Sequence, residues 1–230
     1  MQILADACGG AGRAERLLVL LPPAEARPED FVEHGFVAAV RRRRIPVDLV
    51  AAGLTYEHVI GSSVVPALHD GVVRPAQASS YREIWLAGIS LGAFNALHYA
   101  AEHAGNLAGV FLIAPYPGTG DILAEIARAG GAMAWSASAQ SERGDERRWW
   151  RWLCREAAAG RWTTPVYFGT GDGDRFLLGQ KMLAELLPRE RVRYAAGEHT
   201  WPVWLSLWES WLDDGPLAAS ARRADGAGRP

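Results

Sequence analysis

The sequence holds only two cysteines, Cys8 and Cys154, in 230 residues. That is too few for a disulfide framework, and neither stands in a C-x-x-C pair. Both read as free thiols in a reducing compartment. No apolar run reaches the roughly 18 residues that span a bilayer. The N-terminus "MQILADACGGAGRAER" carries an acid at Asp6 and no sustained apolar core, so no signal peptide is expected. A cytoplasmic protein with no membrane partner follows. A charge excess of either sign is also missing: 24 Lys and Arg face 26 Asp and Glu, for a net charge of −2. Nothing there attracts nucleic acid or an anionic surface. The run Arg41–Arg44 is the local exception. It closes a predicted helix, where cations favour the dipole, and reads as a solvated helix end. There is no H-E-x-x-H, no cysteine cluster and no phosphate loop, so neither a metal nor a cofactor is expected. Internal repeats and domain linkers are absent as well.

What is present is an alternation of apolar runs and helical patterns. Hydrophobic residues make up 49% of the chain and charged residues 22%, a globular balance. "LLVLL" at 17–21 is uninterrupted and apolar, as in a parallel strand covered on both faces. "RPEDFVEHGFVAAVRRRR" places Phe31, Phe36, Val37 and Val40 on a helix after Pro28. Further strands are predicted at 45–53, 84–89, 107–116, 164–171 and 190–197. Helices are predicted near 64–79 and 91–102, with a loop over 54–63. This βαβ pattern predicts an α/β fold: a mostly parallel open sheet with helices on both faces. A single domain is expected over 1–214, with a disordered tail at 215–230. The segment 115–161 has two helical stretches and carries Trp149, Trp150 and Trp152. These tryptophans suit an amphipathic helix packed on its neighbours and, compatibly with it, a short helical cap over a pocket.

"GISLG" at 88–92 directly follows the apolar run at 84–89. Ser90 therefore falls on a turn from strand to helix. So tight a turn leaves no room for side chains two residues before and two after the serine, which explains Gly88 and Gly92. Alone, the pentapeptide also fits a helix N-cap serine between packing glycines. The rest of the chain separates the two readings. A nucleophilic serine needs a base within reach and an acid to orient that base. In open α/β sheets these belong just beyond the carboxyl ends of strands. "VYFGTGDGDRF" ends one late strand and carries Asp172 and Asp174. "YAAGEHTWPVW" ends the last and carries His199. Of the six histidines, His34, His98 and His103 lie in helical stretches, and His58 and His69 precede the serine turn. Only His199 follows a late strand, and Gly197 before it permits an unusual turn. The chain order Ser, Asp, His results.

With "LPPAEARPEDF", "GISLG", "GDGDRF" and "GEHTWPVW", the chain resembles small serine esterases of the α/β-hydrolase fold from about Leu17 to Leu212. The first strands of that fold look absent, so a trimmed version is expected. The resemblance implies hydrolysis of a carboxylic ester, or a thioester, with Ser90 as nucleophile and His199 as base. As orienting acid, Gly171–Asp174 followed by Arg175 and Phe176 matches the G-x-x-D pattern with its trailing residues. Gly169–Asp172 matches the spacing alone, so Asp174 is favoured and Asp172 stays open. The oxyanion hole takes one N–H from Leu91, the residue after the nucleophile. Its second donor is the residue after a His-Gly pair in such enzymes. Here Pro22 and Pro23 stand at that pair, which makes Ala24 the donor, since proline has no N–H. Pro23, Tyr116 and Trp201 are the expected walls of an apolar pocket for small or medium esters. The partner is thus a small-molecule ester; no motif specifies an oligomeric state. Rival readings are an acyltransferase with the same triad and an inactive binding protein of the same fold, the latter resting on Pro23.

Overall fold

The structure, a computed structural model, describes residues 1–8, 14–79, 81–135 and 145–218. Its strands are β1 (Gln2–Asp6), β2 (Arg16–Leu21), β3 (Asp48–Gly53), β4 (Glu83–Ile89), β5 (Gly109–Ile113), β6 (Val166–Gly171) and β7 (Val192–Ala195). They form one sheet in the order β1-β3-β2-β4-β5-β6-β7. All neighbouring pairs are parallel except β1 with β3. The apolar runs supply the central strands. In β2, Leu17, Val19 and Leu21 enter one core and Leu18 and Leu20 the other, as the two-residue period requires.

The helices cover both faces. On the second core's side lie α1 (Asp30–Glu33), α2 (Phe36–Arg42) and α10 (Trp201–Asp214). The first core takes α4 (Val64–Leu68), α5 (Arg74–Ala78), α6 (Leu91–His103), α7 (Gly120–Arg128), α8 (Arg147–Ala159) and α9 (Leu177–Ala184). A short α3 (Tyr56–Ile60) occupies the expected loop over 54–63 and buries none of its residues. The helix expected over 64–79 is interrupted by a π-turn at His69–Val73 just before Pro75. Proline lacks the N–H for the regular ladder, and the widened turn absorbs that loss.

One expectation is corrected at the N-terminus. Residues before Leu17 do contribute a strand: β1 pairs antiparallel with β3, Gln2 opposite Gly53 and Asp6 opposite Leu49. Being an edge strand, it leaves Ile3 exposed and shows no apolar run. Three arginines of the basic run, Arg41–Arg43, are tied down by acids. Arg41 Nε bonds Asp6 Oδ1 at 2.7 Å, Arg42 reaches Glu209 at 2.6 Å and Arg43 reaches Asp213 at 2.6 Å.

The tryptophans of the 115–161 segment fill core. Trp149 and Trp150 are fully buried and stack at 4.9 Å, and Trp149 meets Phe94 of α6 at 6.1 Å. Trp150 Nε1 donates to Pro117 O at 3.1 Å. Residues 136–144 of this segment lie outside the described residues. At the C-terminus, Leu217 and Ala218 still pack as buried residues, and the remainder of the expected tail, 219–230, lies outside the described residues. Among the described residues no helix is long and apolar enough to cross a membrane.

His98, two turns into α6, is buried with its Nε2 unpartnered. Burial pushes its imidazole down to about 4, against the opposing pull of Glu146. The folded state therefore binds fewer protons than the unfolded one between pH 4 and the ordinary histidine value of about 6.5. Stability is fully present above that window and falls as pH drops through it, by up to about 3 kcal/mol. Denaturant titrations across the window should show this loss in the wild type and not in His98→Gln. Parallel curves for the two proteins would remove His98 as the cause.

Candidate active site

Ser90 stands between β4 and α6 with φ 51° and ψ −111°, a left-side conformation that a non-glycine residue adopts only under constraint. The constraint is visible. Its N–H donates to Ile113 O at 2.9 Å, and its carbonyl accepts Tyr116 N–H at 3.1 Å. Two more non-glycine residues with positive φ follow neighbouring strands: Glu25 after β2 and Ala114 after β5. Backbone strain thus collects at the carboxyl end of the sheet, a common mark of functional sites.

Both glycines of the turn are required by space. A Cβ on Gly88 would lie 2.4 Å from the carbonyl carbon and oxygen of Gly92. A Cβ on Gly92 would lie 2.0 Å from Leu21 O and 2.7 Å from Pro22 O. These are backbone atoms, so no rotamer change relieves the clash. Gly92→Ala should therefore force α6 away from β2 and lower stability by about 3 kcal/mol or more. A denaturation midpoint equal to wild type would contradict this account.

The serine hydroxyl meets a continuous polar chain. His199 Nε2 lies 2.9 Å from Ser90 Oγ, and His199 Nδ1 lies 2.7 Å from Asp174 Oδ2. The Asp174 side chain is fully buried. Its Oδ1 accepts the Phe176 N–H at 2.8 Å, and Thr170 Oγ1 stands 3.4 Å from Oδ2. Thr170 donates to Gln180 Oε1 at 2.6 Å, and Gln180 Nε2 donates to Pro115 O at 3.0 Å. Burial alone would push the carboxyl up. The hydrogen bonds from His199 and the Phe176 amide outweigh it and hold Asp174 below the ordinary aspartate value.

Asp172 points elsewhere. Its Oδ1 accepts the Gly197 N–H at 2.9 Å, while Gly173 N–H donates to Gly197 O at 2.9 Å. Asp172 thus fastens the loop after β6 to the loop after β7. Gly197 has φ 122°, the turn its position suggested. A Cβ on Gly171 would sit 2.2 Å from Gly197 O, so the two loops touch through glycines.

A cleft of about 260 Å³ opens over Ser90 and His199. Pro23, Ala24 and Trp201 line it. Ala24 belongs to a tight turn closed by Ala26 N–H to Pro23 O at 3.3 Å. Leu91 is the first residue of α6, and the opening N–H groups of a helix have no acceptor within it. Tyr116 is placed differently from expectation. Its ring packs on Phe94 at 5.6 Å and Phe176 at 5.4 Å and lines an adjoining groove, because its N–H is drawn under Ser90 O. The walls are also less apolar than expected: Glu25, Asp30 and Arg175 share them. Trp204, one turn into α10, meets the His199 ring in a T-shaped contact at 4.9 Å and reaches the cleft. Phe176 is the apolar residue that trails the G-x-x-D pattern; Thr170 and Gln180 carry no motif, and only their nearness to Asp174 in sequence could point to them.

No protein-family model and no curated protein matches the chain. Solved structures do. Brefeldin A esterase, a bacterial homologue of human hormone-sensitive lipase, aligns with a TM-score of 0.59 and 16% identity over 96% of this chain and 78% of its own. The fluorophosphonate-binding serine hydrolase FphF of Staphylococcus aureus aligns with a TM-score of 0.59 and 10% identity over 85% and 82%. Est1E from Butyrivibrio proteoclasticus gives 0.58 and 16% identity over 94% of each chain. The chain has the α/β-hydrolase fold.

Proposed function

We propose that this chain of α/β-hydrolase fold is a serine hydrolase that cleaves a carboxylic ester of a small molecule through an acyl-enzyme. The observation that carries the reading is the hydrogen-bonded line from Asp174 through His199 to a serine held in a strained strand-to-helix turn. Ser90 Oγ attacks the ester carbonyl while His199 Nε2 takes its proton. The carbonyl electron pair moves to oxygen, which the Leu91 and Ala24 N–H groups stabilise. The tetrahedral species collapses, and the leaving alkoxide takes the proton from His199. Water then attacks the acyl-Ser90 carbonyl with His199 again as base, releasing the acid. Asp174 keeps the imidazole in the tautomer that accepts from serine and stabilises its charged form. Pro23 only precedes the donor, so its missing N–H leaves the hole with two candidates.

A fluorophosphonate probe with mass mapping of the adduct tests the reading, run beside a panel of p-nitrophenyl esters. Labelling is expected at Ser90 and nowhere else. An unlabelled chain, or an adduct on another serine, would overturn it.

A further inference from the structure

The 260 Å³ cleft over Ser90 is small for an ester with two extended limbs, and it does not end in a closed wall. A groove of about 440 Å³ adjoins it. One side of the groove is the face of α7 made by Gly120, Leu123, Ala124 and Ala127, spaced as neighbours along one helical stripe. The other is Leu178 and Met182 of α9. At 1.5 Å per residue the α7 face runs about 10 Å.

Two residues join groove and cleft. Arg175 lines both, and it is the one charged side chain among the described residues that line the groove. Phe176 lines the groove and sets its ring edge-on to His199 at 5.2 Å. The apolar trough therefore starts beside the imidazole that serves the reaction. The groove also explains an otherwise costly surface: Leu178 is 77% exposed on its rim. The pairing of helices is close, since a Cβ on Gly179 would sit 2.7 Å from Pro117 and 2.9 Å from Leu123. Small residues at 120, 124 and 127 leave the space along that close contact unfilled.

Resting on the esterase reading above, we infer that the groove between α7 and α9 is a substrate subsite that holds an extended apolar limb of the ester. The preferred substrates are then amphiphilic esters with a flexible or aromatic chain, and not the compact esters that an apolar closed pocket would select. Apolar lining with few polar groups is what such ligand sites have. Each methylene buried there should raise kcat/KM about fourfold.

Two ester series test this, one lengthening the acyl group and one lengthening the alcohol, each from two carbons to ten. In the wild type, kcat/KM should climb with chain length in one series, and that series identifies the limb. Ala124→Phe fills the groove, and Leu178→Asp places a charge on its rim at a position too exposed to unfold the protein. Both should lower the ten-carbon to two-carbon ratio of kcat/KM at least tenfold. Ratios that stay at the wild-type value, or a wild type indifferent to length in both series, overturn the subsite and leave the esterase reading standing. Failure of both series with no probe adduct on Ser90 ends the esterase reading and the subsite with it.

Discussion

Ser90→Ala should abolish ester turnover, with kcat down by on the order of 10⁶ and a small residual rate from the oxyanion donors and binding alone. The magnitude follows from what the change removes. In the proposed acyl-enzyme route Oγ is the atom bonded to the acyl group, and among the described residues no other hydroxyl stands on His199 Nε2 in its place. The fold should survive. Ser90 is held through its backbone N–H and carbonyl, and alanine keeps both bonds. Alanine at φ 51° is no more strained than serine there. A melting temperature within a few degrees of wild type is therefore expected alongside the lost activity, and the fluorophosphonate adduct should vanish. Retained turnover in a correctly folded variant would transfer the chemistry to another residue.

Legibility in the sequence tracked burial. β2 and β4 are covered on both faces, so after Arg16 and Glu83 each is an unbroken apolar run and reads directly. The serine turn was legible because two glycines are forced by backbone contacts, and such contacts leave no alternative residue. The edge strand β1 was not, since one neighbour and open solvent impose little on its composition. The tryptophans of α8 have an apolar pattern consistent with cap or core; the position of α6 beside them, which buries Trp149 against Phe94, is not legible from that pattern. The cleft's charged rim is not legible for a related reason. Glu25 and Asp30 lie in the loop and helix after β2, far in sequence from His199, and nothing in their spacing says that they face it. The groove was invisible too, because α7 and α9 are some fifty residues apart and their pairing depends on the sheet order.

The two aspartates after β6 give the sharpest contrast between neighbouring positions. Asp174→Asn should lower kcat by about 10⁴, the loss known where the orienting acid of a serine triad is made neutral. Its carboxylate accepts from His199 Nδ1 and from the Phe176 N–H at once. An asparagine that keeps its oxygen on the Phe176 amide turns its NH₂ toward Nδ1. It then stabilises the tautomer whose Nε2 carries the proton and cannot accept one from serine. The lost charge also removes support for the imidazolium formed during attack. Asp172→Asn leaves its one bond intact, because an amide oxygen still accepts from Gly197 N–H. Only the charge goes, at an exposed site, and kcat should stay within tenfold of wild type. Asp172→Ala is the more informative partner. It removes one of the bonds that fasten the loop carrying His199, leaving the backbone bond from Gly173 N–H to Gly197 O, and should raise KM and lower stability before it touches the chemical step. The assignment reverses if Asp172→Asn proves the worse of the two amide variants, and it fails if Asp174→Asn retains a tenth or more of wild-type kcat.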